Sequence, residues 1–117
     1  MISKRKLLKK SHLYVILDKQ IAANRPIPKI AKQLKDSGVD IIQFRDKISK
    51  KTDILKESLV LRKLLSNSNS AFLINDYIDI VKIIDSDGIH IGQEDLSIGI
   101  ARKILGKDKI IGITCHS

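Results

Sequence analysis

The stretch Gly38–Lys47, GVDIIQFRDK, decides the fold because it places a cluster of polar residues directly after an apolar run. The run Val39–Phe44 (VDIIQF) is short and nearly continuous in its apolar character, which is typical of a buried strand in a parallel sheet. Gly38 before it is the residue type that commonly ends a helix. The order of helix, glycine, strand and polar cluster predicts one βα unit of an α/β protein.

The same unit recurs on both sides of this stretch. Apolar runs predict further strands at Leu13–Leu17, Ala71–Ile74, Gly88–Ile91 and Ile110–Thr114. Helical spacing predicts four helices, at Lys29–Asp36, from the capping pair Thr52-Asp53 to Leu65, at Tyr77–Ile84 and at Ser97–Leu105. Five strands alternating with four helices predict a parallel sheet with helical crossovers.

Two architectures fit this order of elements. A doubly wound five-stranded sheet of the flavodoxin type suits a chain of about 120 residues. The first part of an eight-stranded (β/α) barrel is the alternative, although a whole barrel needs at least about 200 residues. The length of 117 residues favours the flavodoxin type. That architecture also requires a helix after the last strand, and the sequence predicts none there.

Composition predicts one domain over residues 1–117, with residues 1–12 as a basic extension. Apolar residues make up 43% of the chain, but none of their runs approaches the roughly 20 residues of a membrane helix. The apolar stretch near the start is also too short for a signal peptide. A single cysteine, Cys115, excludes a disulfide framework and a multi-cysteine zinc site. We therefore expect a cytoplasmic domain with no membrane partner.

The charge of the chain, formally +9, is concentrated in its first half. Residues 1–60 hold 15 Lys and Arg against 6 Asp and Glu, whereas residues 61–117 hold seven of each. A basic half predicts anionic partners. Aromatic residues are only 3% of the chain, which argues against a surface that stacks on nucleic-acid bases and favours phosphate-bearing small molecules.

Polar clusters follow four of the predicted strands. They are Gln43–Lys47, Asn75-Asp76, Gly92–Asp95 and Thr114–Ser117. Because the carboxyl ends of parallel strands meet at one edge, where α/β folds bind their ligands, we expect these clusters to converge.

The residue types in these clusters predict a magnesium-diphosphate site. Gln43, Arg45 and Lys47 alternate along an extended segment, so they face one way and suit a polyanion. Asp76 and Asp95 are hard oxygen donors of the kind that hold Mg²⁺ together with substrate phosphates. The alternative for both acids is to cap the helices that follow them.

Other polar residues carry weaker signals. We expect His90 to be packed or hydrogen-bonded in the core, because it lies inside a predicted strand. Asp18 is either part of an acidic site or the terminator of its strand. Neither a nucleophile with a base partner nor an acid–base pair is evident.

The clusters, taken together, resemble those of the thiamine-phosphate synthase family and its thiazole tautomerase relatives. The likeness runs through LYVILD, GVDIIQFRDK, FLINDYIDIV, DGIHIGQEDLSIGIARKILG and IIGITCHS, and covers residues 13–117. It implies a transferase of thiamine biosynthesis with a (β/α)8 TIM-barrel fold. In that reaction, hydroxymethylpyrimidine diphosphate loses diphosphate and the nitrogen of thiazole phosphate captures the pyrimidine cation.

The resemblance also assigns residues. Gln43, Arg45, Lys47, Asn75 and Thr114 would bind the pyrimidine diphosphate, with Thr114 at a position that is usually serine. Asp76 and Asp95 would bind Mg²⁺. The family continues through three further βα units that hold the thiazole-phosphate part of the site. We therefore expect an incomplete barrel, without the acceptor half, that self-associates through its open edges.

Three alternatives remain at this point. A thiazole tautomerase-like isomerase would not need the metal pair. A receiver-like signalling module would use Asp18, Asp76 and Thr114 as its pocket. That fold also needs a lysine at the end of the fifth strand and a helix after it, and this sequence has neither. A nucleic-acid binder would depend on the basic segment Lys4–Lys10.

Overall fold

The computed structural model describes residues 13–92 and 96–114, which form a single parallel sheet with helices between its strands. The strands are β1 (Tyr14–Asp18), β2 (Ile41–Arg45), β3 (Ala71–Asn75), β4 (Gly88–Ile91) and β5 (Ile110–Ile113). The helices are α1 (Lys19–Ala22), α2 (Ile27–Asp36), α3 (Lys51–Leu65), α4 (Ile78–Ile84) and α5 (Ile98–Leu105). In this part of the chain, no helix is long and apolar enough to cross a membrane.

The order of the strands decides between the two architectures. Each strand pairs in parallel with the next one along the chain, in the order β1-β2-β3-β4-β5. A flavodoxin-type sheet, which is also the receiver fold, has the order 2-1-3-4-5. Right-handed crossovers between sequential neighbours place every helix on the same face, as in a barrel. The doubly wound alternative is therefore wrong, and the barrel-type fold is confirmed.

The two faces of the sheet have different surroundings. One face, the helix-covered face, contributes Leu17, Phe44, Ile74 and Ile91 to the apolar core beneath the helices. Because side chains alternate along a strand, the residues between them point to the other face, here called the open face. On β1 the open face leaves Tyr14 42% and Ile16 54% exposed.

The helices differ from the sequence-based expectation in two features, besides shifts of one or two residues at their ends, such as α2 beginning at Ile27 instead of the predicted Lys29. The short helix α1 was not predicted; Asp18 caps it, accepting hydrogen bonds from the backbone amides of Gln20 (2.8 Å) and Ile21 (3.2 Å). Helix α3 begins at Lys51, and its N-cap Lys50 makes no side-chain capping bond, so the predicted Thr52-Asp53 cap is wrong. The strand ends otherwise move by one or two residues.

Strands β4 and β5 approach closely at Gly88. A Cβ atom at this position would lie 2.0 Å from the backbone carbonyl oxygen of Ile110. The pairing of these two strands therefore requires glycine at position 88. The same pairing determines the position of Thr114, which follows β5.

Candidate active site

The carboxyl edge of the sheet gathers most of the residues that the sequence predicts for the site. Arg45 and Asn75 are the last residues of β2 and β3, Asp76 follows directly, and Thr114 follows β5. Gln43 shares the open face of β2 with Arg45, whereas Lys47 lies in the bend beyond that strand. Asp95, the second predicted metal ligand, lies outside the described residues.

The two predicted anion-binding cations each pair with an aspartate. The Arg45 guanidinium donates to Asp18 Oδ2 over 2.5 Å, and the Lys47 ammonium forms an ion pair with Asp76. Asp18 is thus a helix cap that also holds Arg45 in place. Burial alone would raise the pKa of Asp18, but the hydrogen bonds from Arg45 and the α1 amides lower it below the ordinary value.

Asp76 occupies an unusual backbone conformation. Its φ of 73° lies in the left-handed region, which costs a residue other than glycine about 1 kcal/mol or more and is found more often at functional sites. Its amide donates to the carbonyl oxygen of His90 (2.9 Å), and Tyr77, not Asp76, is the N-cap of α4. Asp76 therefore does not act as the helix cap that was the alternative for it.

A continuous set of side-chain hydrogen bonds crosses the open face, here called the polar row. Asn75 Nδ2 donates to Gln43 Oε1 (3.0 Å), and Gln43 Nε2 donates to the Tyr14 hydroxyl (2.6 Å). Tyr14 lies 3.4 Å from His90 Nδ1, and His90 Nε2 lies 2.6 Å from Thr114 Oγ1. The row links residues from all five strands or their carboxyl ends.

Two members of the polar row were not among the predicted site residues. His90 is hydrogen-bonded, as expected, but on the open face instead of in the core beneath the helices. Tyr14 was absent from the candidates. The signal that identifies it is strand alternation, which puts Tyr14, the first residue of β1, on the same face as Asp18 at the carboxyl end of that strand.

Burial sets the protonation of the two aromatic members of the row. It lowers the pKa of His90, against an opposing effect of the Asp76 carboxylate. It raises the pKa of Tyr14, against the hydrogen bond donated by Gln43. At neutral pH the Tyr14 hydroxyl therefore keeps its proton, and His90 is mainly uncharged.

Asp46, between the two cations, organises the loop after β2. Its carboxylate is buried and accepts from the amides of Ile48 (3.0 Å) and Ser49 (2.9 Å). Burial opposes the charge, but these bonds and the Ser49 side chain hold the pKa of Asp46 below its usual value. Asp46 is thus a structural acid that fixes the segment carrying Lys47.

The donor set at this edge fits Mg²⁺ in the manner of phosphate-processing sites. Among residues 13–92 and 96–114, no group of three His, Cys, Asp or Glu side chains could hold a metal by itself. Mg²⁺ is commonly held by only one or two carboxylates together with water and substrate phosphates. The Asp76 carboxylate is suited to that arrangement, since it lies at the strand edge beside the Lys47 ammonium.

Comparisons with known proteins agree on one family. The family model described as "Thiamine monophosphate synthase" matches residues 13–117. The chain is 40% identical over 105 residues to thiamine-phosphate synthase of Lawsonia intracellularis, covering 90% of this chain and 48% of that protein. It is 43% identical over 104 residues to the enzyme of Halalkalibacterium halodurans, covering 89% of this chain and 49% of that one.

A solved structure matches the fold as well. Thiamine phosphate pyrophosphorylase from Pyrococcus furiosus superimposes with a TM-score of 0.81 at 28% identity, covering 95% of this chain and 53% of that one. The chain therefore spans about half the length of the relatives it matches.

Proposed function

Because this chain belongs to the thiamine monophosphate synthase family, we propose that it carries the pyrimidine-diphosphate part of a thiamine-phosphate synthase site. The observation that carries the proposal is the pair of cations at the carboxyl edge of the sheet, Arg45 held by Asp18 and Lys47 paired with Asp76. The proposed reaction transfers the pyrimidinylmethyl group, ring and methylene together, to the nitrogen of thiazole phosphate and releases diphosphate, in the cytoplasm.

The cations would bind the diphosphate group. Arg45 offers forked donors, of which one nitrogen is engaged by Asp18, so other N–H groups remain to contact an oxyanion. The Lys47 ammonium is a compact positive charge that forms an ion pair with the Asp76 carboxylate. When the C–O bond to diphosphate breaks, its electron pair leaves with diphosphate, and these cations stabilise the growing negative charge. Mg²⁺ bound by Asp76 and Asp95 would supply Lewis-acid stabilisation of the same charge.

The amides of the polar row would receive the pyrimidine. Gln43 is 1% exposed and holds Asn75 through its carbonyl oxygen, so both amides are fixed before a ligand arrives. Asn75 keeps its carbonyl oxygen and one N–H group for the polar edge of a pyrimidine. Orientation of this ring points its methylene carbon toward the incoming nucleophile, and positioning of this kind is a large part of catalysis.

The proposed chemistry needs no nucleophile from the protein. After departure of diphosphate, the methylene carbon of the pyrimidinylmethyl cation takes the lone pair of the thiazole nitrogen to form the new C–N bond. Since the chain spans about half the length of its relatives, the proposal places thiazole phosphate on the segment of the family that the match does not include.

Calorimetry of hydroxymethylpyrimidine diphosphate binding tests the proposal. We expect binding with Mg²⁺ present, weakened at least tenfold by Asp76→Ala, because the metal-bridged contact is lost. Asp53→Asn is the matched control, since Asp53 is an exposed acid in the first turn of α3. Absence of binding by the wild-type chain, or equal affinity in Asp76→Ala, would contradict the proposal. Isomerisation of thiazole phosphate without Mg²⁺ would favour the tautomerase instead.

A further inference from the structure

The direction of the hydrogen bonds in the polar row is set by its amide end. Asn75 donates to the carbonyl oxygen of Gln43, so the amide nitrogen of Gln43 is the atom that faces Tyr14. Tyr14 therefore accepts a hydrogen bond at its oxygen, over 2.6 Å. Its own proton is then available for a different acceptor.

His90 Nδ1 lies 3.4 Å away and is placed to accept this proton, where the two rings meet edge-on with their centroids 6.5 Å apart. With Nδ1 accepting, the ring carries its proton on Nε2, which faces Thr114 Oγ1 at 2.6 Å. Thr114 Oγ1 is thus the acceptor in this bond, and its own proton points elsewhere. Nε2 also donates to Thr114 if His90 carries a second proton, although Nδ1 then donates to Tyr14 instead of accepting from it.

The surroundings of His90 fix the ring for this role. Gly112 lies opposite His90 in the pairing of β4 with β5, and a Cβ atom there would come within 2.9 Å of His90 Nδ1. The carbonyl oxygen of His90 accepts from the amide of Asp76, and the amide of Thr114 donates to Ile91. Backbone bonds therefore hold both ends of the His90–Thr114 contact.

We propose that His90 is a positioning residue that orients the Thr114 hydroxyl as a hydrogen-bond donor toward the bound diphosphate. The inference rests on the proposed function for its ligand, but the direction of the row is a property of the protein alone. A hydroxyl whose lone pair is already engaged by His90 donates to an anion without reorienting. Tyr14, Gln43 and Asn75 extend the same direction across the sheet and couple the pyrimidine end of the site to the diphosphate end.

A double-mutant cycle with magnesium diphosphate as the probe tests the positioning role. Thr114→Val should weaken binding about tenfold or more by calorimetry, whereas Thr114→Ser should not, because it keeps the donor. His90→Asn, too short to reach Thr114, should weaken binding several-fold, and His90→Gln, with an amide near the position of Nε2, should restore it. In the Thr114→Val background, His90→Asn should have no further effect. Additive losses, or equal losses in His90→Asn and His90→Gln, would overturn the proposal.

The ¹⁵N chemical shifts of the His90 ring provide a readout that does not require ligand. We expect the proton on Nε2 in the free protein, and a shift of Nδ1 in Tyr14→Phe, which removes the donor while keeping the ring. A proton on Nδ1 alone would reverse the row and overturn the inference. If the wild-type chain bound no magnesium diphosphate, the proposed function would fail, and the ring shifts would still decide the direction of the row.

Discussion

Asp18 combines two stabilising contacts, one with the first turn of α1 and one with Arg45. We expect Asp18→Asn to lower the free energy of unfolding by about 1–3 kcal/mol at pH 7, because the ion pair with Arg45 loses its buried charge while asparagine can still cap α1. Urea unfolding measures this loss. Asp53→Asn, at an exposed acid, is the control and should change the free energy by less than about 0.5 kcal/mol.

The same residue gives a pH dependence with a defined sign. The pKa of Asp18 in the folded protein lies below its ordinary value of 3.8, so the folded state favours the ionised carboxylate. Its contribution is present above pH 3.8 and is lost as the pH falls through the lower, folded-state pKa. The difference in urea unfolding between wild type and Asp18→Asn should therefore be full at pH 7 and shrink as the pH falls below 3.8. A difference between the two proteins that stays constant over this range would contradict the assignment.

The Lys47–Asp76 pair predicts opposite effects on metal and anion. The Lys47 ammonium offsets the negative charge of Asp76, the proposed metal ligand. Because Lys47→Gln removes this competing cation, it should strengthen binding of Mg²⁺ alone by a few-fold. The same variant should weaken binding of diphosphate, which loses a phosphate contact. Calorimetry with each ligand separately measures both effects. Lys51→Gln is the control, because Lys51 pairs with Asp79 on α4; equal behaviour of the two variants would count against the pairing.

At the scale of elements, the sequence predicts the strands better than the contacts among them. All five apolar runs form strands because a parallel sheet buries nearly continuous apolar segments. Helix α1 has four residues, too few to show helical periodicity. The pairing of Arg45 with Asp18 depends on the register of β1 with β2. The polar row depends on which side chains of each strand lie on the open face. These are properties of assembled strands, which local patterns do not specify.

The contact of β4 with β5 is the element pairing with the clearest steric requirement. Gly88→Ala places a Cβ atom 2.0 Å from a backbone oxygen of β5, so the strands must separate. We expect the free energy of unfolding to fall by about 1–3 kcal/mol or more, and binding at Thr114 to weaken. Gly99→Ala on α5 is the matched control: its Cβ atom would meet nothing within 4 Å, and alanine favours a helix by about 1 kcal/mol. A tolerated Gly88→Ala, by thermal and urea unfolding, would show that the two strands pair less closely.

At the scale of the whole molecule, the open face and the outer strands carry the last prediction. Among residues 13–92 and 96–114, β1 and β5 each pair with one neighbouring strand, and the open face of β1 exposes Tyr14 and Ile16. The relatives that this chain matches are about twice as long as the part it aligns with. Apolar strand surface with an available edge favours association with another chain.

We therefore expect this chain to self-associate at micromolar concentration, as the sequence also predicts, and sedimentation velocity measures the association. Ile16→Lys should shift the population toward monomer, because a charge on the open face disfavours its burial against a second copy. Ile21→Lys is the control, since Ile21 is 77% exposed on α1. A monomeric wild type would be inconsistent with association, and equal dissociation by both variants would assign the interface to the helices instead of the open face.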